Sequence, residues 1–387
     1  MVAQSATGGT LKTKETNVAM SKRAVYAFFL VAALCARPAL AWQNVANTSQ
    51  KGSLLIFPLI SVDRADLTDT FIEVSNDETS PVHIECSYIN EAKGRVDFDF
   101  TLTAKATASW DAFFGDGLGA PPFPTNGTFT PSNPFRGELI CFAVDAGGAN
   151  QIAFNHLTGT ATVVNIDDAD AAQVKQAFRY NAWSFVARNK SDLAEADNVI
   201  QGTPGVLQLT GSGAGNYDAC PLYNIANFNP NGATDAADVI TTRDNDLSVV
   251  SCNQDLRQDF VLHLTKLQFT TWNANENSFT GSYQCIDSVD TVGLSKTDNS
   301  ALVAPSNFDF STLRTPNARF QVQGVASTQC PKSETAGLLG VITSSLGILD
   351  PREDAELGST TQRAGAQAGF VLWDPASGTV PAIKAHS

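Results

Sequence analysis

Short segments with strand patterning recur along the sequence, and this feature constrains the fold more than any other. Residues 96–102 show it most clearly, because apolar and polar side chains alternate there with a period of two, as in a strand with one buried face. Many such strands with turn-rich connections predict an all-β protein, an immunoglobulin-like or jelly-roll β-sandwich with little helix. The other candidate strands are 53–62, 69–74, 82–89, 137–144, 159–166, 182–187, 206–210, 247–251, 259–272, 278–286, 319–325 and 369–373.

Local patterns also predict a hairpin and a helix, and they allow two roles for the first strand. Asp69–Val74 and Val82–Ile89 are expected to pair as a hairpin, because the residues between them favour a turn. Helical patterning occurs at Asp168 to Phe178, where Asp168 is suited to cap a short helix. Residues 53–62 are apolar on both faces, which predicts either a core strand of the same domain or a strand that pairs with a neighbouring molecule.

Residues 20–41 have the features of a cleavable secretory signal. The basic pair Lys22-Arg23 precedes the apolar run 24–35, and Ala39-Leu40-Ala41 supplies the small side chains that a signal peptidase requires. Residues 1–19 are interpreted as a non-native extension from an upstream start codon. The sequence therefore predicts export to the periplasm, the cell surface or the medium.

The length of the chain after this leader favours two domains. Residues 42–387 exceed what one hydrophobic core usually holds. The composition shift from the acidic stretch 191–198 to glycine-rich segments predicts a β-sandwich domain at 42–200 and a β-rich domain at 201–387. A single pair of packed sheets with a long decorated loop is the alternative.

The chain without its leader is strongly acidic. Removal of residues 1–41 takes away five of the 25 basic residues and one of the 39 acidic residues, so the net charge changes from −14 to −18. Such a surface repels phosphate backbones, and we expect no nucleic-acid partner. We also expect no transmembrane span, because the apolar run 337–349 is short and interrupted by glycine.

Six cysteines remain after the leader is removed, and an even number predicts disulfides in an oxidising compartment. None lies in a CxxC or CxxH pattern, which gives a zinc site no local support. Nearest-neighbour pairing is favoured because each such pair flanks a plausible strand-to-strand connection. The predicted pairs are Cys86 with Cys141, Cys220 with Cys252 and Cys285 with Cys330.

No sequence motif identifies a catalytic residue or a cofactor site. Neither HExxH nor GxSxG is present, and the glycine-rich segments 115–119 and 211–215 do not lead into a helix that could bind phosphate. His156 is the least strand-like histidine, yet spacing pairs no nucleophile with it. The other histidines are His83, His263 and His386.

Two carboxylate clusters are candidates for structural calcium, because oxygen ligands at this density suit that ion. Neither has the twelve-residue calcium-loop pattern, so helix capping and turn formation are the alternative. The candidate ligands are Asp167, Asp168 and Asp170 after one strand, and Asp244 and Asp246 on either side of Asn245 in an expected loop.

A set of strand and turn segments carries a resemblance to known proteins. These are 51–58, 69–76, the strand with Cys86, 137–141, 155–157, 180–182, 219–221 and 324–328. They resemble a family of uncharacterised secreted bacterial β-rich proteins over most of the chain after the leader. The resemblance implies a cell-envelope or extracellular bacterial protein and supplies no activity.

Two functional hypotheses remain from the sequence. The first is a secreted, non-catalytic cell-envelope or extracellular protein with a structural, adhesive or assembly role, which could self-associate through strand 53–62 and contact a surface or glycan. The second is a secreted hydrolase or glycan-binding module that uses loop carboxylates and exposed aromatic side chains. The candidates for stacking on sugar rings are Trp110, Trp183, Trp272 and Trp373, with core packing as the alternative.

Overall fold

The computed structural model describes residues 44–63, 67–91, 93–113, 135–166, 174–188, 205–211, 213, 215–235, 240–252, 263–294, 307–348 and 364–368. These residues form antiparallel sheets and one short helix, which confirms the predicted all-β sandwich fold. The domain boundary predicted near residue 200 lies outside the described residues, as do the leader and the candidate strand 369–373.

The first sandwich consists of two antiparallel sheets. Its strands are β1 (Leu54–Val62), β2 (Thr68–Asn76), β3 (Val82–Asn90), β4 (Arg95–Leu102), β5 (Thr107–Asp111), β6 (Phe135–Val144), β7 (Leu157–Ile166), β8 (Val174–Asn181) and β9 (Trp183–Phe185). Sheet I has the order β4-β3-β6-β1-β9, and sheet II has the order β5-β2-β7-β8.

The core of this sandwich forms from the inward side chains of both sheets. The alternation predicted for β4 is confirmed, since Phe98 and Phe100 are buried and pack edge-on against Trp110 of the facing sheet at 5.9 and 5.6 Å between ring centroids. Each aromatic pair adds about 0.5–1.5 kcal/mol beyond its buried area. The Trp110 indole nitrogen also donates a hydrogen bond of 2.9 Å to the Tyr88 hydroxyl.

The second sandwich is built from later strands. They are β12 (Tyr223–Phe228), β13 (Thr234–Asp235), β14 (Ile240–Ser251), β15 (Thr265–Asn273), β16 (Ser278–Ile286), β17 (Val289–Gly293), β18 (Ala318–Val325), β19 (Leu338–Ile348) and β20 (Ala364–Ala368), with helix α1 (Phe310–Leu313). Sheet III has the order β12-β18-β15-β16, and sheet IV the order β13-β14-β19-β20, with β17 also paired to β14. The two-stranded ribbon β10 (Ala187–Arg188) and β11 (Asn216–Tyr217) lies between the sandwiches in the chain.

An apolar cluster joins the outer face of sheet I to sheet IV. The two faces of strand β6 pack on different sides of sheet I. Leu139 belongs to the first core, whereas Ile140 and Phe142 belong to this shared cluster. Val250 and Leu339 reach it from sheet IV. Burial on both faces explains why residues 139–144 of β6 are all apolar rather than alternating.

The predicted hairpin is wrong, and the predicted helix is wrong over residues 174–178, while its residues 168–173 lie outside the described residues. Strand β2 pairs with β5 and β7 in sheet II, whereas β3 pairs with β4 and β6 in sheet I, so the connection between β2 and β3 crosses from one sheet to the other. Residues 174–178 of the predicted helix belong to β8, which pairs with β7. Within β8, Gln176, Phe178 and Tyr180 alternate with more exposed residues, which suits a strand. Residues 206–210, predicted as a strand, form none.

Strand β1 is a core strand of its own sheet. It pairs with β6 along its length and with β9 at Leu54–Ile56, so this part has no free edge for a neighbouring molecule. Farther along, the Tyr180 hydroxyl donates to the Leu59 carbonyl oxygen, and the Thr70 hydroxyl donates to the Ser61 carbonyl oxygen at 2.8 Å. Both edges of residues 54–56 are therefore paired within the molecule, and self-association through strand 53–62 stays a prediction.

Three disulfides link the described strands and loops. They join Cys86 to Cys141, Cys220 to Cys252 and Cys285 to Cys330, which are the nearest-neighbour pairs. Cys86 and Cys141 lie directly opposite each other in β3 and β6. Structural disulfides of this kind are typical of proteins that fold in an oxidising compartment.

Candidate functional site

Sheet III carries a polar groove at one end. A cross-strand row forms part of it: Asn227 of β12 pairs with Arg319 of β18, which pairs with Trp272 of β15. The groove has a volume of about 430 Å³, within the range of small-molecule sites. The remaining lining residues are Phe228, Asn229, Asn273, Ala274, Glu276, Asn317 and Ala318.

Trp272 is the aromatic centre of this groove. Its side chain is half-buried, and the Arg319 guanidinium carbon lies 5.2 Å from the centroid of its ring. A cation–π contact at an exposed site contributes about 0.5–1 kcal/mol. Arg319 therefore holds the indole in place, while the indole still lines the groove.

Four asparagines line the same groove as this ring. The Asn273 amide nitrogen donates to the Leu313 carbonyl oxygen at 3.1 Å, and its oxygen accepts hydrogen bonds from the backbone of Asn275 and Asn277, so Asn273 shapes the groove wall. The side chains of three other lining asparagines are exposed and make no hydrogen bond within the described residues, namely Asn227, Asn229 and Asn317. Their amides can both donate to and accept from a ligand.

A second polar cluster lies on sheet II. The register of β2 and β5 pairs Phe71 with Asp111, which places Asp69 diagonally across from Asp111 on the same face. The two carboxyl groups are hydrogen-bonded to each other. The pKa of Asp69 is raised to about 7, mainly by burial and in part by the charge and hydrogen bond of Asp111, against lowering by the backbone N–H groups of Thr70 and Phe113. No local sequence pattern indicates this pair, because the strand register alone brings the two side chains together.

The Asp69 pair predicts a pH-dependent stability. An unfolded Asp69 loses its proton near pH 4, whereas the folded protein keeps it up to about pH 7. The folded state therefore binds more protons in this window, and the free energy of unfolding is expected to fall as the pH rises through it. Urea unfolding at pH 4–8 should show this slope in the native protein and a much weaker slope in Asp69→Asn. Asp99→Asn, a change at an exposed carboxylate, should keep the slope, and an unchanged slope in Asp69→Asn contradicts the assignment.

The described histidines have carboxylate partners at the surface. His83 Nε2 lies 3.2 Å from Asp99, and His263 Nδ1 lies 3.1 Å from Glu334. His156 Nδ1 lies 3.6 Å from an Asp77 carboxylate oxygen and 3.5 Å from a Glu78 one. These contacts are typical of structural ion pairs. His386 lies outside the described residues.

Only some of the candidate calcium ligands lie among the described residues. Asp167, Asp168 and Asp170 lie outside the described residues, and only the backbone of Asp244 is described. Asp244 and Asp246 belong to the interior of β14, so the predicted loop is wrong there. Among the described side chains, no group of three or more potential metal ligands occurs.

Burial separates the tryptophan candidates. Trp110 is 2% exposed and Trp183 is 0% exposed, which places both in the packed interior. Trp373 lies outside the described residues. Trp272 is therefore the one described tryptophan of the four whose ring is accessible from a groove.

Comparisons with known proteins place this chain in no family. No family model and no curated protein matches the sequence. The PBSX exported protein XepA aligns over 79% of this chain and 85% of its own, with 8% identity and a TM-score of 0.17. Empty particles of Cowpea mosaic virus, its top component, align over 79% and 92% with 8% identity and a TM-score of 0.17. Broad Bean Stain Virus aligns over 84% and 98% with 6% identity and a TM-score of 0.17. At these values the likenesses carry no functional argument.

In the described part of the chain, no helix has the length and apolar character needed to cross a membrane.

Proposed function

We propose that this chain is an exported, non-catalytic adhesive protein of the cell envelope or extracellular space, and that the Trp272 groove binds a carbohydrate. The observation that carries the proposal is that the Trp272 indole lines a groove together with asparagine amides that make no hydrogen bond within the described residues. Sugar rings present apolar C–H faces and a rim of hydroxyls, so they need an aromatic surface together with groups that donate and accept hydrogen bonds.

The charge of the protein favours a neutral saccharide. The whole sequence carries a net charge of −14, and such a field disfavours polyanionic ligands. Within the groove, Arg319 lies over the indole and Glu276 contributes an opposite charge. Recognition would therefore depend on stacking and amide hydrogen bonds rather than on ion pairing.

The arrangement of carboxylates supports binding rather than hydrolysis. Glycoside hydrolases use two carboxyl groups about 5–10 Å apart on either side of the scissile bond. The described lining of the groove contains one carboxylate, Glu276. Asp69 and Asp111 lie on the other sandwich and are hydrogen-bonded to each other, which leaves no room for a sugar between them.

Replacing Trp272 with alanine is expected to weaken saccharide binding by at least about tenfold, because the stacking surface is lost. A glycan array with neutral and acidic glycans would identify a ligand, and isothermal titration calorimetry would measure the change in Kd. Phe71→Ala is the matched control, since Phe71 is an aromatic residue that is 48% exposed on the other sandwich. Absence of saturable binding to any neutral glycan, or equal affinity of Trp272→Ala and the native protein, contradicts the proposal.

The proposed export has a separate test. Disulfides between all six cysteines after the leader support an oxidising compartment. Mass spectrometry of the protein from fractionated native cells should find an N-terminus at residue 42 in a non-cytoplasmic fraction. An intact leader with free thiols in the cytoplasm contradicts it.

A further inference from the structure

A second cavity lies where the first sandwich meets sheet IV. Because β9 covers β1 only at Leu54–Ile56, the later part of β1 borders an open space of about 350 Å³. Sheet II supplies a second wall through Gln176 and Phe178, and sheet IV supplies a third through Ser248 and Thr343. The cavity is therefore an open cleft lined by groups from both sandwiches, a common location for small-molecule sites.

Most of the side chains that line this cavity are polar. They comprise five hydroxyl-bearing side chains, two amides, one arginine and one aspartate, and the apolar side chains are Leu59, Val163 and Phe178. The single arginine, Arg136, and the single aspartate, Asp246, have opposite charges, so the lining has no net charge. Such a lining suits a neutral ligand with many hydroxyl groups and one apolar face.

Internal hydrogen bonds hold part of the wall in place. The Asn165 amide nitrogen donates to the Thr68 hydroxyl at 2.9 Å, and the hydroxyls of Ser248 and Thr291 are hydrogen-bonded at 3.1 Å. These bonds fix groups from sheet II and sheet IV before any ligand arrives, which lowers the entropic cost of binding.

Some polar side chains of the wall have no such partner, and Thr343 and Gln176 are two of them. Neither the Thr343 hydroxyl nor the Gln176 amide makes a hydrogen bond within the described residues. The Thr343 hydroxyl is not among the buried atoms that lack a partner, so it is accessible from the cavity. A ligand that offers hydroxyl groups would satisfy both of them, one from each sandwich.

We infer that this cavity binds a small neutral polyol, of the size of a monosaccharide or cyclitol, between the two sandwiches. Its volume is near the lower end of the roughly 300–1,000 Å³ typical of ligand sites, which excludes long chains from its interior. The ligand is a free molecule or the terminal residue of a glycan. This inference is independent of the Trp272 groove, which lies on sheet III.

The site is testable in the Trp272→Ala background, where the groove no longer contributes. Saturation-transfer NMR with D-glucose, D-galactose and myo-inositol should show saturable binding of at least one of them, and cyclohexanol, a ring with a single hydroxyl, should not compete. Thr343→Val, which keeps the side-chain shape, and Gln176→Leu should each weaken binding, and together by at least about tenfold. The Phe71→Ala control should leave the affinity unchanged.

Two further measurements identify the source of the polyol and its effect on the thermal stability of the protein. If the cavity takes the terminal residue of a glycan, beads that carry the sugar should capture the protein. If it takes only free molecules, the beads should not capture the protein, and only the free sugar should bind. Because the ligand would bind only the folded protein, it should raise the Tm of the native protein but not that of Thr343→Val. No saturable binding of the three probes, or an affinity unchanged in both variants, overturns the inference.

Discussion

Replacement of Asp218 by alanine is expected to lower the free energy of unfolding by about 3 kcal/mol, because it removes a buried carboxylate that accepts several charge-assisted hydrogen bonds. The Asp218 side chain is 0% exposed and contacts Arg188 at 2.5 Å. It also accepts hydrogen bonds from the Val186 backbone N–H at 3.0 Å and from the Gln50 amide at 2.8 Å. Loss of the carboxylate would leave the partly buried Val186 N–H without this acceptor, whereas the Gln50 amide keeps its hydrogen bond to the Ser184 carbonyl oxygen.

Urea unfolding monitored by tryptophan fluorescence measures this effect. Asp218→Asn keeps the shape and some acceptor capacity but removes the charge, so its loss should be intermediate. Asp99→Ala is the matched control, since that side chain is 65% exposed and pairs with His83 at the surface, and its effect should be within about 1 kcal/mol. A loss below about 1 kcal/mol for Asp218→Ala contradicts the assigned role.

Replacement of Trp183 by alanine is expected to cost about 3–5 kcal/mol, the usual range for removing a fully buried large aromatic side chain. Trp183 is 0% exposed in the apolar cluster between sheet I and sheet IV. Its indole nitrogen donates a hydrogen bond of 3.2 Å to the Gly340 carbonyl oxygen of β19. The substitution would remove packing from both sandwiches and leave the Gly340 carbonyl group without this donor.

The matched comparison is Trp272→Ala, which changes the same residue type in a half-buried position. Thermal and urea unfolding should show a loss for Trp272→Ala well below that for Trp183→Ala, while saccharide binding should show the opposite order. Trp183→Phe should recover part of the stability, because it restores much of the buried area. Equal stabilities of the two alanine variants would contradict the assignment of Trp183 to the interior and Trp272 to the groove.

Local sequence patterns determined much of the strand content. The period-two alternation of β4 identifies its buried face, since Phe98 and Phe100 face the core and the residues between them face solvent. The apolar run of β1 likewise indicates a strand that is covered on both sides. These predictions succeed because the side-chain pattern of a single strand reports directly on which of its faces are buried.

The candidate sites could be predicted only in part. Trp272 was one of four tryptophans with equal sequence support, and its exposure depends on its position at the end of sheet III rather than on its neighbours in sequence. The pairing of Asp69 with Asp111 depends on the register between β2 and β5. The cavity beside β1 depends on how far β9 extends along that strand.

The sequence by itself determined the class of fold, because apolar periodicity is a local property that each strand carries. Only the tertiary structure decided which strands become neighbours: it places β2 and β3 in different sheets and makes β8 a strand where the pattern favoured a helix. Strand pairing and sheet packing join residues that are far apart in the chain, and their free energy comes from contacts that no short segment contains.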